Sequence, residues 1–227
     1  MSNQKEKTTA PAIVPQPTVS SVYSFGWDRF KKFFLDLFLV TIIVGVVFIP
    51  LGMMESLDGR ETAGFVLLNI FGLAYWLLLY DPIDYGSAFV FLKAVRDEKF
   101  EVKDIFSAFE SVDRYLNVVL AELLKSAIIL IGLVMLIVPG IIFACKLAFV
   151  KYLVLDKKMD PVAAVKESWN MTTGYAGTIF LMGLLAIPIG IVGLIMCGVG
   201  IIPAIMWIRC AFASMYYAVS KKAEEAA

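Results

Sequence analysis

Long apolar runs alternate with short polar segments along most of the chain. They predict six membrane-spanning helices, at about 33–53, 64–80, 115–138, 141–156, 175–198 and 201–219. Even the two shortest runs have about 17 residues, which is enough to cross a hydrocarbon core of about 30 Å as an α-helix. A β-barrel would instead show alternating segments of about ten residues. We therefore predict an all-α, polytopic membrane protein in contact with the lipid bilayer.

Three polar segments, one before each odd-numbered span, have a helical pattern of their own. The first is SFGWDRFKKF, and the second, VKDIFSAFESVDRYL, places apolar residues at helical spacing between charged ones. In the third, DPVAAVKESWNMTTGY, Asp160 is the predicted N-cap and Pro161 the first helical residue. These segments predict short amphipathic cytoplasmic helices, which either lie on the membrane surface or cover the inner end of the bundle.

The positions of Lys and Arg predict the orientation of the chain. Basic residues precede the first span, fill the segment between the second and third spans, and follow the fourth and sixth spans, whereas only Arg60 lies in an outward loop. Because short basic loops stay in the cytoplasm, we predict a multi-pass protein of the cytoplasmic (inner) membrane with both termini cytoplasmic. The predicted organisation is a disordered cytoplasmic tail at 1–20, a six-helix membrane domain at 21–220 and a short cytoplasmic tail at 221–227.

A weak internal repeat relates the paired spans. A shift of 60 residues places Phe109 on Trp169, Tyr115 on Tyr175 and residues 140–142 on 200–202. The repeated two-span unit would be an amphipathic helix, a span, a tight turn and a second span, always in the same orientation. The uncharged turns contain the residues that we predict to be structural turn positions: Pro139, Gly140, Gly198 and Gly200.

The stretch 138–180 resembles a motif of bacterial integral membrane proteins. It has proline-glycine, an apolar helix, an acidic stop, an A…S-W…G helix and another span, at Pro139, Gly140, Asp156, Ala164, Ser168, Trp169 and Gly174. DIFSAFE is similar to a second element of the same group, with Ala108 in place of glycine. The group includes YciC-type inner-membrane proteins and the membrane domain attached to some glycerophosphodiester phosphodiesterases. The resemblance covers most of residues 21–220 and implies a six-helix membrane fold but no reaction.

Charged residues also lie inside the predicted spans. A charge at the bilayer centre costs about 2.5–3.5 kcal/mol or more, so such residues are expected to face the bundle interior and to pair. Glu122 and Lys125 are three residues apart and share a helical face. Lys146 lies about six residues inside the outer turn, and we predict that Glu122 is its partner. The predicted intramembrane polar network, which either fixes helix packing or forms an anion site or polar pathway, is Glu122, Lys125, Lys146 and Arg209.

The stretch DPIDYGSAF allows two interpretations. Asp81 and Asp84 are similar to the metal-holding carboxylates of CDP-alcohol phosphotransferases, but Tyr85 interrupts that motif and its later acids are missing. The alternative, which we favour, is that Pro82 breaks the helix and Asp81 caps the one that follows.

Composition narrows the chemistry further. The chain is 60% hydrophobic, has a mean hydropathy of +0.81 and contains three cysteines and no histidine. The lack of histidine excludes a Ser-His or Cys-His nucleophile pair and a conventional Cys/His metal site. GxSxG and P-loop motifs are also absent. We predict no catalytic residue, no cofactor or metal site and no nucleic-acid partner.

Three hypotheses for the function follow. The favoured one is a non-enzymatic scaffold or accessory protein, which would contact other membrane proteins or a second copy of itself. The alternative is a small transporter or permease with a polar intramembrane site, which requires a water-accessible cavity that reaches the buried charges. The third is a lipid-modifying enzyme that uses Asp81 and Asp84, which requires bound metal.

Overall fold

The computed structural model describes residues 14–56, 62–196 and 200–226, and these residues form helices joined by short turns. The helices are α1 (Val19–Lys32), α2 (Phe34–Ser56), α3 (Thr62–Tyr75), α4 (Asp81–Val95), α5 (Val112–Met135), α6 (Ile137–Lys146), α7 (Val150–Asp156), α8 (Pro161–Met171), α9 (Ala176–Ile195) and α10 (Ile201–Ala226). A π-helical turn, Trp76–Tyr80, joins α3 to α4, and a 3₁₀ helix, Val102–Phe109, precedes α5. Residues 1–13, most of the predicted tail, lie outside the described residues, as do Arg60 and Gly198.

The described helices confirm an all-α, polytopic membrane fold. Five of them are long and apolar enough to cross a membrane: Val66–Val95, Val112–Met135, Ile137–Asp156, Ala176–Ile195 and Ile201–Glu225. A sixth span results if α1 and α2, which meet at an angle of 96°, are counted as one broken span. α2, α5 and α9 expose apolar side chains such as Leu35, Val134 and Ile195, which are 68%, 81% and 75% exposed. Such surfaces are suited to lipid contact.

The second span is longer than predicted, because the helix does not stop at Pro82. Proline provides no N–H for the carbonyl four residues earlier, and its ring crowds that carbonyl. Here the π-helical turn widens the helix just before Pro82. The Tyr115 hydroxyl of α5 donates a hydrogen bond of 2.9 Å to the Leu78 carbonyl, the group that Pro82 leaves unpaired. Asp81 has helical backbone angles and makes no cap, so the predicted break and cap are wrong.

The fourth span is broken, although the sequence predicts one continuous helix. α6 ends at Lys146 and α7 begins at Val150. The Ser168 hydroxyl of α8 donates a hydrogen bond of 2.8 Å to the Lys146 carbonyl and accepts one of 3.2 Å from the Phe149 N–H. The Thr172 hydroxyl donates a second bond to the Lys146 carbonyl, at 3.0 Å. Side chains of α8 therefore satisfy the backbone groups that the break frees.

The three amphipathic segments all pack against helices of the bundle. α1 lies on α10, the 3₁₀ helix lies on α4, and α8 lies across α5 and α7. A Cβ added at Gly26 of α1 would lie 2.9 Å from the Ala211 backbone nitrogen of α10, and one added at Gly86 of α4 would lie 1.8 Å from the Ile105 carbonyl oxygen of the 3₁₀ helix. α8 lies on the break between α6 and α7. Asp160 caps α8 as predicted, accepting a hydrogen bond of 3.1 Å from the Ala163 N–H.

The turns between paired spans bring small residues together. The turn before α6 lies at Leu136, where the backbone is extended, so Pro139 and Gly140 belong to the first turn of α6. Gly140 packs against α5, where an added Cβ would lie 2.9 Å from the Leu133 backbone nitrogen. Gly200 packs in the same manner against Gly193 of α9. These close approaches hold each pair of spans together and leave α4, α7 and α10 to form the interior.

Candidate functional site

A cavity of about 550 Å³ lies between α4, α5, α7 and α10. Its walls include Trp76, Tyr80, Tyr152, Ile129, Leu147 and Phe212. Three acidic and three basic residues also line it: Asp81, Asp84, Glu122, Lys125, Lys151 and Arg209. A charged cavity of this kind inside a membrane bundle is a candidate site for a polar ligand.

Asp84 joins three of the helices through its two carboxylate oxygens. Arg209 of α10 donates to Asp84 Oδ1 at 2.6 Å and to the Ser87 hydroxyl at 2.5 Å. Lys151 Nζ of α7 lies 3.7 Å from Asp84 Oδ2. The side chains of Asp84, Lys151 and Arg209 are 20%, 29% and 22% exposed, so each retains a surface toward the cavity.

Glu122 is the centre of a second group of polar contacts. Its Oε2 accepts hydrogen bonds from Lys125 Nζ at 2.5 Å and from the Tyr85 hydroxyl at 2.9 Å. Its Oε1 accepts a hydrogen bond of 3.2 Å from the Ser126 hydroxyl. Both oxygens of this carboxylate are therefore hydrogen-bonded, as a buried charge requires.

Asp81 differs from the other two carboxylates. The residue is 6% exposed, and its Oδ2 is buried without a hydrogen-bond partner among the described residues. It lies one helical turn before Asp84, on the same wall of the cavity. An unpaired oxygen of this kind is rare in folded proteins and marks a group with unused binding capacity.

Lys146 does not belong to the cavity, and the predicted pairing of Lys146 with Glu122 is wrong. Lys146 Nζ donates a hydrogen bond of 2.8 Å to the Thr173 hydroxyl and lies 5.4 Å from the centre of the Trp169 ring. The helix break that follows Lys146 directs this side chain toward α8 rather than toward α5. The cation of this span that reaches the cavity is Lys151, five residues later.

The structure thus brings Glu122, Lys125 and Arg209 to one cavity, and adds residues that the sequence interpretation left out of the network. The sequence interpretation considers Asp81 and Asp84 only as metal ligands or a helix break, and does not include Lys151 in the network. The i, i+3 spacing of Asp81 and Asp84 was a usable indication, since it places two carboxylates on one face of a helix.

The metal-site interpretation of Asp81 and Asp84 does not fit these contacts. Both oxygens of Asp84 face cations, Arg209 and Lys151, which compete with any metal ion for the same lone pairs. Throughout the described ranges, no group of three or more His, Cys, Asp or Glu residues is arranged to hold a metal ion. The cavity is therefore a site of mixed charge rather than a carboxylate cluster.

Comparison with known proteins adds no relative to this description. A scan against protein-family models, a search of curated proteins and a search of solved structures each found no match to this chain.

Proposed function

We propose that the protein is a small transporter or permease that binds an ionic small molecule in the charged cavity. The observation that carries the proposal is a cavity of about 550 Å³ between the membrane-spanning helices that is lined by six charged side chains. An ion-pair network that served only to fix helix packing would be expected to satisfy all of its members. Within the described residues this network leaves Asp81 Oδ2 without a hydrogen bond, which is a cost to folding that a ligand site explains.

The scaffold hypothesis has less support from the contacts. It depended on amphipathic helices that are free to bind partner proteins. In the structure part of each apolar face is covered by the bundle itself, since Val22 and Phe30 of α1, Ile105 of the 3₁₀ helix and Ala164 of α8 are buried, while Trp27, Phe106 and Trp169 remain 40%, 48% and 37% exposed. Association with other membrane proteins or with a second copy remains compatible with transport, but no contact described here favours it.

The proposed location is the cytoplasmic membrane, with both termini cytoplasmic. The support comes from the basic residues, which gather at one end of the bundle through shared ion pairs. Arg29 and Lys32 of the first unit both pair with Asp97, which follows α4. Arg96, beside it, pairs with Asp156 at the end of α7. An end rich in Lys and Arg belongs to the cytoplasmic side. The YciC-type resemblance agrees with this proposal but supplies no reaction.

Water access to the cavity is the test. Ala148 lines the cavity, whereas Ala121 is fully buried and lies outside the lining, so the pair Ala148→Cys and Ala121→Cys is matched. Each is made in a background in which Cys145, Cys197 and Cys210 are changed to Ala. We expect a membrane-impermeant thiol reagent in sealed vesicles to label position 148 and not position 121. Equal, slow labelling of both positions in folded protein would overturn the proposal.

A further inference from the structure

Two groups of opposite charge in the cavity are not fully used by the protein. Asp84 and Arg209 are paired at 2.6 Å, and Glu122 and Lys125 at 2.5 Å. Asp81 is left with a buried oxygen that has no hydrogen-bond partner in the described part of the chain. The Lys151 ammonium lies 3.7 Å from Asp84 Oδ2, which is an ion contact beyond hydrogen-bonding distance. One acceptor, buried at the wall of the cavity, and one cationic donor are therefore not fully used by the protein.

We infer that the ligand is a small zwitterion, with an ammonium group that pairs with the Asp81 carboxylate and a carboxylate or phosphodiester that accepts from Lys151 Nζ. This inference rests on the proposed function and names the class of substrate for the same cavity. The two ends of such a ligand match the carboxylate of Asp81 on α4 and the ammonium group of Lys151 on α7, both of which line the cavity.

Charge balance favours a zwitterion over a simple ion. The lining contains three acidic and three basic side chains, so its formal charge is already balanced. A singly charged ligand would leave a net charge inside the membrane, where an uncompensated charge is costly. A zwitterion adds no net charge and supplies partners to both free groups at once.

The positions of the two groups on either side of Asp84 favour a ligand with only a few carbon atoms between its charges. Asp81 and Asp84 are three residues apart, which is roughly 4.5 Å along a helix, and Lys151 lies 3.7 Å from Asp84. The aromatic side chains Trp76, Tyr80 and Tyr152 also line the cavity. Their ring faces are suited to an ammonium group.

The test compares one zwitterion with its two singly charged analogues. Isothermal titration calorimetry is done on the full chain in phosphatidylglycerol nanodiscs, with γ-aminobutyrate, butyrate and butylamine as probes, because they share one carbon chain. We expect γ-aminobutyrate to bind at least tenfold more tightly than either analogue. Butyrate or butylamine that binds as tightly as γ-aminobutyrate would overturn the inference.

Variants assign the two ends of the ligand. Asp81→Asn should weaken γ-aminobutyrate binding at least tenfold and leave butyrate binding unchanged, while Lys151→Gln should weaken γ-aminobutyrate binding and leave butylamine binding unchanged. Lys146→Gln is the matched control, since this cation lies outside the cavity and should change nothing. If Asp81→Asn weakens butyrate and butylamine binding equally, Asp81 has only a structural role and the inference fails.

Glycerophosphoethanolamine, whose phosphodiester has a single negative charge and so balances its ammonium group, distinguishes the two sources of a zwitterion. If the free compound binds and phosphatidylethanolamine in the nanodisc competes with it, the ligand is a lipid headgroup; if the lipid does not compete, the ligand is a free solute. Labelling of Ala148→Cys without preferential binding of any zwitterion would leave the proposed cavity function standing and overturn this inference. The absence of both labelling and binding would overturn both.

Discussion

The charges in the cavity and the charges at the end of the bundle are arranged differently. At the end, Arg96 makes two hydrogen bonds to Asp156, at 2.5 and 2.7 Å, and the Tyr216 hydroxyl donates to the same carboxylate at 2.8 Å. Asp97 pairs with Lys32 and Arg29 in the same region. In the cavity, by contrast, Asp81 keeps an unpaired oxygen.

The difference separates ion pairs that join helices from a site that retains binding capacity. Each pair at the end of the bundle connects two elements: α1 with the residues after α4, or α4 with α7. Their carboxylates are paired with cations of the protein itself. The cavity contains two carboxylates within a single helical turn of α4. Asp84 forms ion pairs with other helices, and Asp81 forms none with the described residues.

The largest predicted effect on stability comes from removing the charge of Asp84, which joins α4 to α7 and α10 inside the cavity. Asp84→Asn takes the negative charge from between Arg209 and Lys151 and leaves two cations to repel each other in the membrane. Breaking one partner of a buried ion pair costs about 3–5 kcal/mol. We expect a marked fall in the thermal unfolding midpoint of the purified protein, followed by tryptophan fluorescence.

Asp81→Asn is the matched control for this prediction. It makes the same Asp-to-Asn change on the same face of the helix. Asp81 Oδ2, however, has no hydrogen-bond partner among the described residues that the substitution could remove. We expect a change in the free energy of unfolding within about 1 kcal/mol, or a gain in stability, because a buried and unsatisfied carboxylate is removed. Equal destabilisation by the two substitutions would show that the two carboxylates have the same role, and the comparison would fail.

A smaller loss of stability is expected from a substitution at Gly86, where α4 packs closely against the 3₁₀ helix. The Cβ of Gly86→Ala would lie 1.8 Å from the Ile105 carbonyl oxygen, a backbone atom that cannot rotate away. Overpacking of this kind costs about 1–3 kcal/mol or more. The unfolding midpoint should fall, and the Lys93–Asp104 ion pair, which ties the 3₁₀ helix to α4 at 2.8 Å, should weaken.

Gly177→Ala provides the comparison for Gly86→Ala. No atom lies within 4 Å of a Cβ at position 177, and alanine is favoured over glycine in a helix by about 0.5–1 kcal/mol. We expect unchanged or slightly raised stability. A Gly86→Ala protein as stable as Gly177→Ala would mean that the 3₁₀ helix is not held against α4 as described.

Local properties of the sequence were enough to predict the fold class, because the length of an apolar run and the N-cap at Asp160 do not depend on distant residues. The exceptions all involve contacts from another helix. The helix continues through Pro82 because Tyr115 of α5 pairs with the freed carbonyl. The helix breaks after Lys146 because Ser168 of α8 forms hydrogen bonds with the backbone groups on both sides of the break, the Lys146 carbonyl and the Phe149 N–H.

The same reason explains which site residues could be predicted. Glu122 and Lys125 pair within one helix, so their spacing was sufficient. Lys146 and Lys151 lie in one predicted span and look equivalent along the sequence, but the helix break directs the first to α8 and leaves the second facing Asp84. Partners on different helices depend on which helices touch, and a single sequence does not contain that information.

The smallest predicted effect is at the end of the bundle and depends on pH. Pairing with Lys32 and Arg29 holds the pKa of the Asp97 carboxyl below its ordinary value, so the ionised form stabilises the fold. This stabilisation is present above the unfolded-state pKa, about 3.9, and is lost as pH falls through the lower pKa of the folded state. Asp97 is 43% exposed, so water screens the pair and its contribution is about 0.2–1 kcal/mol.

Asp97 has a φ of 63°, which Asn also tolerates, and Asp97→Asn therefore tests the charge alone. Unfolding midpoints should differ between the two proteins at pH 7 and converge in acid, whereas a constant difference at every pH would show that the backbone, not the ion pair, accounts for the effect.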